Sequence, residues 1–201
     1  MEFKSINPYN GQEVGSYTAL TAAELQAKLD KSNKAFKSWK KVPLAERVAL
    51  MHRAATVLRE NTTEYARMIT LEMGKPLAEA KAEVTKCAWV CEYYADNAAD
   101  FLAVEEIKTD ASQSFVRQDP IGAVFAIMPW NFPFWQVFRF LAPTLMAGNT
   151  AVLKHASNVP GCALAIVKDG KIIYKRGYGM SNLEYNIAIT PTSIFHIASI
   201  S

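Results

Sequence analysis

Hydrophobic residues recur at helical intervals through the first hundred residues, after an opening segment with a different pattern. Between Ile6 and Tyr17, Asn-Pro and Asn-Gly pairs interrupt short apolar alternations, which predicts a hairpin or an extended arm. Thr21 and Glu24 then have the spacing of a capping box, which predicts the start of a helix. The apolar positions behind that start lie at helical spacing: Leu25, Leu29, Phe36 and Trp39.

Two more helices are predicted before residue 102. Pro43 suits the first turn of the second helix, whose apolar positions extend from Val48 to Tyr65, and Gly74 stands where its C-terminus would place a glycine. Pro76 begins the third helix, which carries one apolar stripe with alternating spacings of four and three residues. The stripe consists of Ala80, Val84, Cys87, Cys91, Tyr94, Ala98 and Phe101. We therefore interpret its two cysteines as core residues and not as redox or metal-binding residues.

A β-like pattern replaces the helical one after the polar stretch 108–114. The segment 115–117 is a short strand candidate, and the continuous apolar run 122–128 is typical of a strand that is buried on both faces. The turn 129–133 interrupts this run, and the apolar segment behind it can form a helix up to Met146.

A second strand completes a β-α-β unit. Gly148 and Asn149 end the predicted helix, and residues 150–153 form the next strand candidate. A right-handed crossover of this kind makes the two strands parallel and places ligands beyond their carboxyl ends. The sequence therefore predicts a ligand site near Asn131 and Lys154.

The last forty residues have a third pattern. Residues 162–167 and 171–178 are apolar-rich strand candidates, and Asp169-Gly170 between them is a strong hairpin signal. A further element begins at Ile194.

Composition excludes several classes of protein. Half of the 201 residues are hydrophobic and 20% are charged, so the chain can bury a core and does not resemble a disordered protein. The net charge of +3 is not clustered, which argues against nucleic-acid binding. Three cysteines, distant from the three histidines, predict neither a disulfide framework nor a metal site. We see no secretory signal, and prolines break the apolar stretch 119–154, so we expect a cytoplasmic protein without a membrane span.

Four segments resemble the NAD(P)-dependent aldehyde dehydrogenases, and most of all the succinate-semialdehyde dehydrogenases. They are INPYNG at 6–11, LEMGKPLAEAKAEV at 71–84, PIGAVFAIMPWNFPFWQ at 120–136 and LAPTLMAGNTAVLKHASNVP at 141–160. The resemblance covers about residues 1–166. It implies an α/β fold in which N-terminal helices precede the first β-α-β unit of a Rossmann-like domain, with NAD or NADP as the cofactor and a small-molecule aldehyde as the substrate.

The same resemblance implies roles for individual residues. Asn131 matches the asparagine whose amide stabilises the oxyanion, and Trp130 belongs with it to the turn that approaches the cofactor. Lys154 matches the lysine that contacts the adenosine ribose, and Ser157 matches a serine near the 2′-phosphate of NADP. The nucleophilic cysteine and the general-base glutamate of the family have no match in the 201 residues, and Cys162 does not fit the cysteine's motif.

From Pro160 onward the chain resembles the serine β-lactamase-related hydrolases, a group that includes penicillin-binding proteins. The matching text runs from PGCALAIVKDGKIIYKRGYG to FHIASIS. In that family a serine opens a helix as Ser-x-x-Lys, and Ser199 would be this nucleophile. The lysine would be residue 202, so we expect no catalysis by Ser199 within these residues.

The two resemblances overlap at residues 159–166, which suggests a chimera. We expect a partial aldehyde dehydrogenase NAD(P)-binding domain at 1–160 and a partial β-lactamase-like segment at 161–201, with neither activity retained. The alternatives are a weak nucleotide-binding module without chemistry and a serine hydrolase fragment. Exposed sheet edges also permit self-association.

Overall fold

The computed structural model describes residues 2–129 and 131–154, the backbone of residue 155, and the backbone of the strands 162–168, 171–178, 180–182 and 187–188. The chain divides into two compact units, which are described separately. One unit contains Met1–Met128 and Phe132–Lys154, and the other contains Pro129–Asn131 and His155–Ser201. The predicted boundary at residue 160 stays a prediction.

The elements follow one another as strands, helices, a β-α-β unit and then strands. In chain order they are β1 (Glu2–Ile6), β2 (Glu13–Thr18), α1 (Ala22–Trp39), α2 (Leu44–Glu60), α3 (Thr62–Met73), α4 (Leu77–Phe101), β3 (Glu105–Glu106), β4 (Phe115–Val116), β5 (Ala123–Met128), α5 (Trp135–Met146), β6 (Thr150–His155), β7 (Cys162–Lys168), β8 (Lys171–Tyr178), β9 (Met180–Asn182) and β10 (Ile187–Ala188).

The opening segment is a hairpin, as its turn residues predict. β1 and β2 pair antiparallel, with Glu2 opposite Thr18 and a bulge at Ser5 and Ile6. Helix α1 then starts with the predicted capping box: the Thr21 hydroxyl accepts from the Glu24 N–H at 3.2 Å, and the Glu24 carboxylate accepts from the Thr21 N–H at 2.8 Å. The bonds that the Glu24 carboxylate accepts from the N–H and the hydroxyl of Thr21 hold the pKa of Glu24 below its ordinary value.

The predicted second helix is in fact two helices, and this corrects the sequence prediction. α2 ends at Glu60 and α3 begins at Thr62. The Asn61 side chain donates to the carbonyl of Val57, and the Thr62 hydroxyl donates to the carbonyl of Leu58. The N–H of Asn61 still donates to Val57, but the backbone of Asn61 has φ −104° and ψ 16°, which interrupts the helix. The apolar spacing continues across the break without revealing it. Gly74 ends α3 at a φ of 73°, as predicted.

Helix α4 forms the centre of the core and contacts α2, α3 and α5. Its stripe is buried at Ala80, Val84, Cys87, Cys91 and Ala98. The interpretation of the two cysteines as core residues is confirmed, because both are fully buried and free. Burial raises the pKa of Cys87 to about 12 and that of Cys91 to about 11.

Strands β5 and β6 pair with each other, and α5 connects them. The N–H of Thr150, at the start of β6, donates to the carbonyl of Gly122, just before β5, at 3.1 Å. Because this bond joins the two starts, the strands run parallel and the predicted β-α-β unit is confirmed.

The prediction that β5 is buried on both faces is wrong. Ala126 is buried, but Phe125 and Ile127 are 60% and 58% exposed. Within the part of the chain that the structure describes, this sheet has two strands, and α1 and α5 contact β5. The alternation of exposure along β5 shows that one of its faces is covered.

Helix α1 is held against elements that come much later in the chain. The Trp39 indole N–H donates to the carbonyl of Leu145 at 3.1 Å. The Thr150 hydroxyl donates to the carbonyl of Ser32 at 3.2 Å. The start of β6 and the end of α5 therefore fix the position of α1.

In the second unit the predicted C-terminal hairpin is confirmed. β7 and β8 pair antiparallel from Cys162 opposite Tyr178 to Lys168 opposite Lys171. The predicted turn residues 169 and 170 lie outside the described residues.

Candidate functional site

The structure describes some of the predicted site residues and not others. Asn131 follows β5 by three residues and is exposed, and Lys154 is exposed within β6. Asn131 belongs to the second compact unit and Lys154 to the first, so each is described by itself. Trp130, Ser157 and Ser199 lie outside the described residues.

A buried carboxylate holds the start of α5, directly behind the turn that contains Asn131. Glu83 Oε1 accepts from the N–H groups of Phe134 and Trp135, each at 3.0 Å. The first N–H groups of a helix have no partner within the helix, and a negative charge at that end also interacts favourably with the helix dipole. Glu83 of α4 therefore caps α5 from another helix.

Lys75 compensates the charge of Glu83. Its ammonium group donates to Glu83 Oε2, and the two residues are 9% and 4% exposed. The same ammonium lies 3.7 Å from the centroid of the Phe132 ring. A buried carboxylate needs such a partner, because removal from water is costly for an unpaired charge. A second cation, the ammonium group of Lys86 on α4, lies 4.1 Å from the centroid of the Trp135 ring.

The position of Glu83 also limits what can bind at the start of α5. In many dinucleotide-binding folds the helix after the first strand binds the pyrophosphate at its N-terminus. Here a carboxylate already accepts from two of those N–H groups. These two N–H groups are therefore already occupied and are not available to a phosphate.

The segment 71–84 contributes to the family resemblance, but the contacts of Lys75 and Glu83 within it were not predicted from the sequence. A signal was available, because Glu83 lies three residues after Ala80 and four before Cys87, on the apolar stripe. A charged residue at such a position is almost never buried without a partner. The spacing could therefore have identified Glu83 as a paired residue, although not its partner.

A polar side chain also holds the start of β5. Asn149 Oδ1 accepts from the N–H groups of Ile121 at 2.7 Å and Gly122 at 3.0 Å. The preceding Gly148 has a φ of 84°, a conformation that favours glycine, and so ends α5 as predicted.

Further chemistry is limited in the described part of the molecule. A groove of about 390 Å³ is lined mainly by apolar residues, among them Trp39, Val42 and Leu145, and has no titratable side chain in its lining. The described residues contain no group of three or more His, Cys, Asp or Glu side chains that could hold a metal ion. Among the same residues, no helix is both long enough and apolar enough to cross a membrane.

The raised pKa values of Cys87 and Cys91 keep both thiols protonated at neutral pH.

Known proteins resemble this chain over most of its length. A probable succinate-semialdehyde dehydrogenase [NADP(+)] of Synechocystis sp. is 52% identical over 168 residues, which are 84% of this chain and 37% of that protein. Succinate-semialdehyde dehydrogenase [NADP(+)] 1 of Mycobacterium tuberculosis is 46% identical over 167 residues, 82% of this chain and 36% of that protein. The chain thus spans little more than a third of the length of these relatives.

A solved structure gives the same result for the fold. Succinic semialdehyde dehydrogenase from Streptococcus pyogenes, in complex with NADP+, matches with a TM-score of 0.74 and 37% identity. The match covers 77% of this chain and 34% of that one.

Two family models match the sequence. The Beta-lactamase model matches residues 146–201, little more than a quarter of the chain. The Aldehyde dehydrogenase family model matches residues 1–171. The second match covers most of the chain and agrees with the β-α-β unit and with the relatives, so the chain belongs to the aldehyde dehydrogenase family.

Proposed function

We propose that the chain is part of the NADP+-binding domain of an aldehyde dehydrogenase for succinate semialdehyde or a similar small aldehyde. The main support is the parallel β5–β6 pair, with Lys154 exposed near the carboxyl end of β6. Ligands of open α/β sheets bind beyond the carboxyl ends of the strands. The names of the relatives, which specify NADP+, support this choice of cofactor.

The residues present fit this cofactor. The Lys154 ammonium would donate to the ribose hydroxyls and attract the 2′-phosphate, and the Ser157 hydroxyl would donate to the same phosphate. Asn131, with Trp130 beside it, would offer a neutral amide donor to an oxyanion. The bound cofactor would supply the hydride acceptor.

We further propose that these 201 residues bind NADP+ without oxidising aldehydes. Oxidation in this family needs a thiolate nucleophile and a carboxylate base. Cys87 and Cys91 are buried, with pKa values raised far above neutral pH, and Cys162 does not match the nucleophile's motif.

An NADP+ titration of the 201-residue chain, followed by backbone amide signals, tests the proposal. We expect saturable shifts in β6 and about a tenfold rise in Kd for Lys154→Met, the loss expected for one charge-assisted hydrogen bond. Lys108→Met, at an exposed loop position, is the matched control and should leave Kd unchanged. Absence of shifts would contradict NADP+ binding, and equal Kd values for both variants would contradict the proposed role of Lys154. NADPH formation with succinate semialdehyde above the rate without protein would contradict the lack of turnover.

A hydrolase origin for the last part of the chain is a second proposal. It is supported by the Beta-lactamase match at 146–201 and by the β7–β8 hairpin. We propose a junction at residues 159–166, where the two resemblances overlap. Continuous sequencing reads across the corresponding codons would support one gene, whereas a drop in coverage there would indicate an assembly error.

A further inference from the structure

We propose that Glu83 is a positioning residue for the turn 132–135, which follows Asn131 directly in the sequence, and that Lys75 supplies its counter-charge. The functional meaning of this inference rests on the proposed function, because that function assigns a role to Asn131. The contacts themselves lie within the first compact unit.

The start of α5 has no cap of its own. Its N-cap residue is Phe134, which makes no side-chain capping bond, and its first turn contains no acidic residue. Helices usually begin at Ser, Thr, Asp or Asn, whose side chains accept from the first N–H groups. Glu83 supplies the missing acceptor from α4, about 50 residues earlier in the chain.

The pair contacts most of the turn. Glu83 binds the N–H groups of Phe134 and Trp135, while the Lys75 ammonium lies against the ring of Phe132. Lys75 also fixes the second carboxylate oxygen of Glu83, so the carboxylate cannot rotate away without breaking an ion pair. A hydrogen-bond acceptor and a cation thus hold three of the four residues that follow Asn131.

Double substitutions of Lys75 and Glu83 distinguish an ion pair that only stabilises the core from one that positions the turn. If the two charges only stabilise the core, replacing both with uncharged residues should restore the turn together with stability. If the Glu83 oxygen positions the turn, only a replacement that keeps an acceptor should do so. Lys75→Met combined with Glu83→Gln keeps an oxygen acceptor, whereas Lys75→Met combined with Glu83→Leu has none.

The experiment compares these two double variants of the 201-residue chain without ligand. We expect both variants to fold, with the lower urea midpoint in the Leu variant. Amide hydrogen exchange of Phe134 and Trp135 should be at least about tenfold faster in the Leu variant after correction for the difference in global unfolding. We also expect the side-chain amide signals of Asn131 to shift or broaden in the Leu variant only. Glu79→Gln, at an exposed position on α4, should change none of these.

Exchange rates within about twofold of each other in the two double variants would overturn the proposal, and so would failure of both to fold, which would indicate a structural pair. NADP+ takes no part in these measurements. A negative NADP+ titration would therefore overturn the proposed function and leave the contacts of Glu83 and Lys75 with the turn intact.

Discussion

Two buried side chains use the same geometry, one at the start of β5 and the other at the start of α5. Asn149 Oδ1 accepts from two consecutive N–H groups before β5, and Glu83 Oε1 accepts from two consecutive N–H groups at the start of α5. Both residues are less than a tenth exposed. They differ in charge: the amide of Asn149 is neutral, and the carboxylate of Glu83 is paired with Lys75.

The comparison shows that a charged buried acceptor needs more partner residues than a neutral one. A neutral buried acceptor needs only its two donors, and its loss costs the pairing of those donors. A buried carboxylate needs a counter-charge as well, so the segment entering α5 depends on a third residue. The start of α5 follows Asn131 closely in the sequence, so under the proposal above the more demanding arrangement belongs to the turn behind that residue.

Removal of the counter-charge should have the largest effect. Lys75→Met leaves the Glu83 carboxylate buried and unpaired, so we expect the free energy of unfolding at pH 7 to fall by about 3–5 kcal/mol. Urea denaturation measures this change. Lys81→Met, at an exposed position on α4, should change stability by less than about 0.5 kcal/mol. If Lys75→Met lowered the free energy of unfolding by less than about 1 kcal/mol, Glu83 would not need a counter-charge, and it would not differ from Asn149 in this respect.

Removal of the neutral acceptor should have an intermediate effect. Asn149→Ala deprives the N–H groups of Ile121 and Gly122 of their acceptor, and we expect a loss of about 2 kcal/mol by urea denaturation. The cost stays moderate because Ile121 is 86% exposed and water can reach its N–H. Asn33→Ala, at an exposed position of α1, serves as the control and should not destabilise the chain. A loss larger than that of Lys75→Met would reverse the comparison.

An exposed ion pair between helices should have the smallest effect. Arg59 of α2 donates to both carboxylate oxygens of Glu92 on α4, and these bonds hold the pKa of Glu92 below its ordinary value. Such a pair stabilises the protein above the pKa that Glu92 has in the unfolded chain, and its contribution disappears as the pH falls through the folded pKa. We therefore expect Glu92→Gln to cost about 0.5 kcal/mol at pH 7 and nothing near pH 2.

Urea denaturation of wild type and Glu92→Gln at both pH values tests this. Equal differences at pH 7 and pH 2 would show that the charge of Glu92 contributes nothing. A loss close to that of Lys75→Met would show that burial does not govern the effect of an interhelical pair.

Local sequence signals account for the ends of most elements. The signals at Thr21 with Glu24, at Gly74 and at Gly148 each act on backbone groups a few residues away, so their spacing alone predicts them. The stripe on α4 likewise follows from helical geometry. The capping residue of α5 could not be predicted in this way, because Glu83 is distant in sequence and reaches Phe134 only through the packing of α4 on α5.

Two other features depended on information that apolar patterning does not contain. The break at Asn61 lies in its backbone, which leaves the helical range at φ −104° and ψ 16°, and the apolar spacing is unchanged across it. The exposure of Phe125 and Ile127 depends on how many strands and layers surround β5, and a run of apolar residues does not encode that number. The proposed roles of Asn131 and Lys154 come from the family resemblance, and chain geometry alone predicts only their place after the strands.

The contacts of α1 set an order of events during protein synthesis. The Trp39 indole bonds to Leu145, and Ser32 bonds to Thr150, so the partners of this helix are translated more than 100 residues later. At ordinary elongation rates this interval lasts on the order of 10 s. Until then the Trp39 indole N–H and the Ser32 carbonyl lack the partners that they have in the folded chain, so α1 cannot take its final position before α5 and the start of β6 have been made.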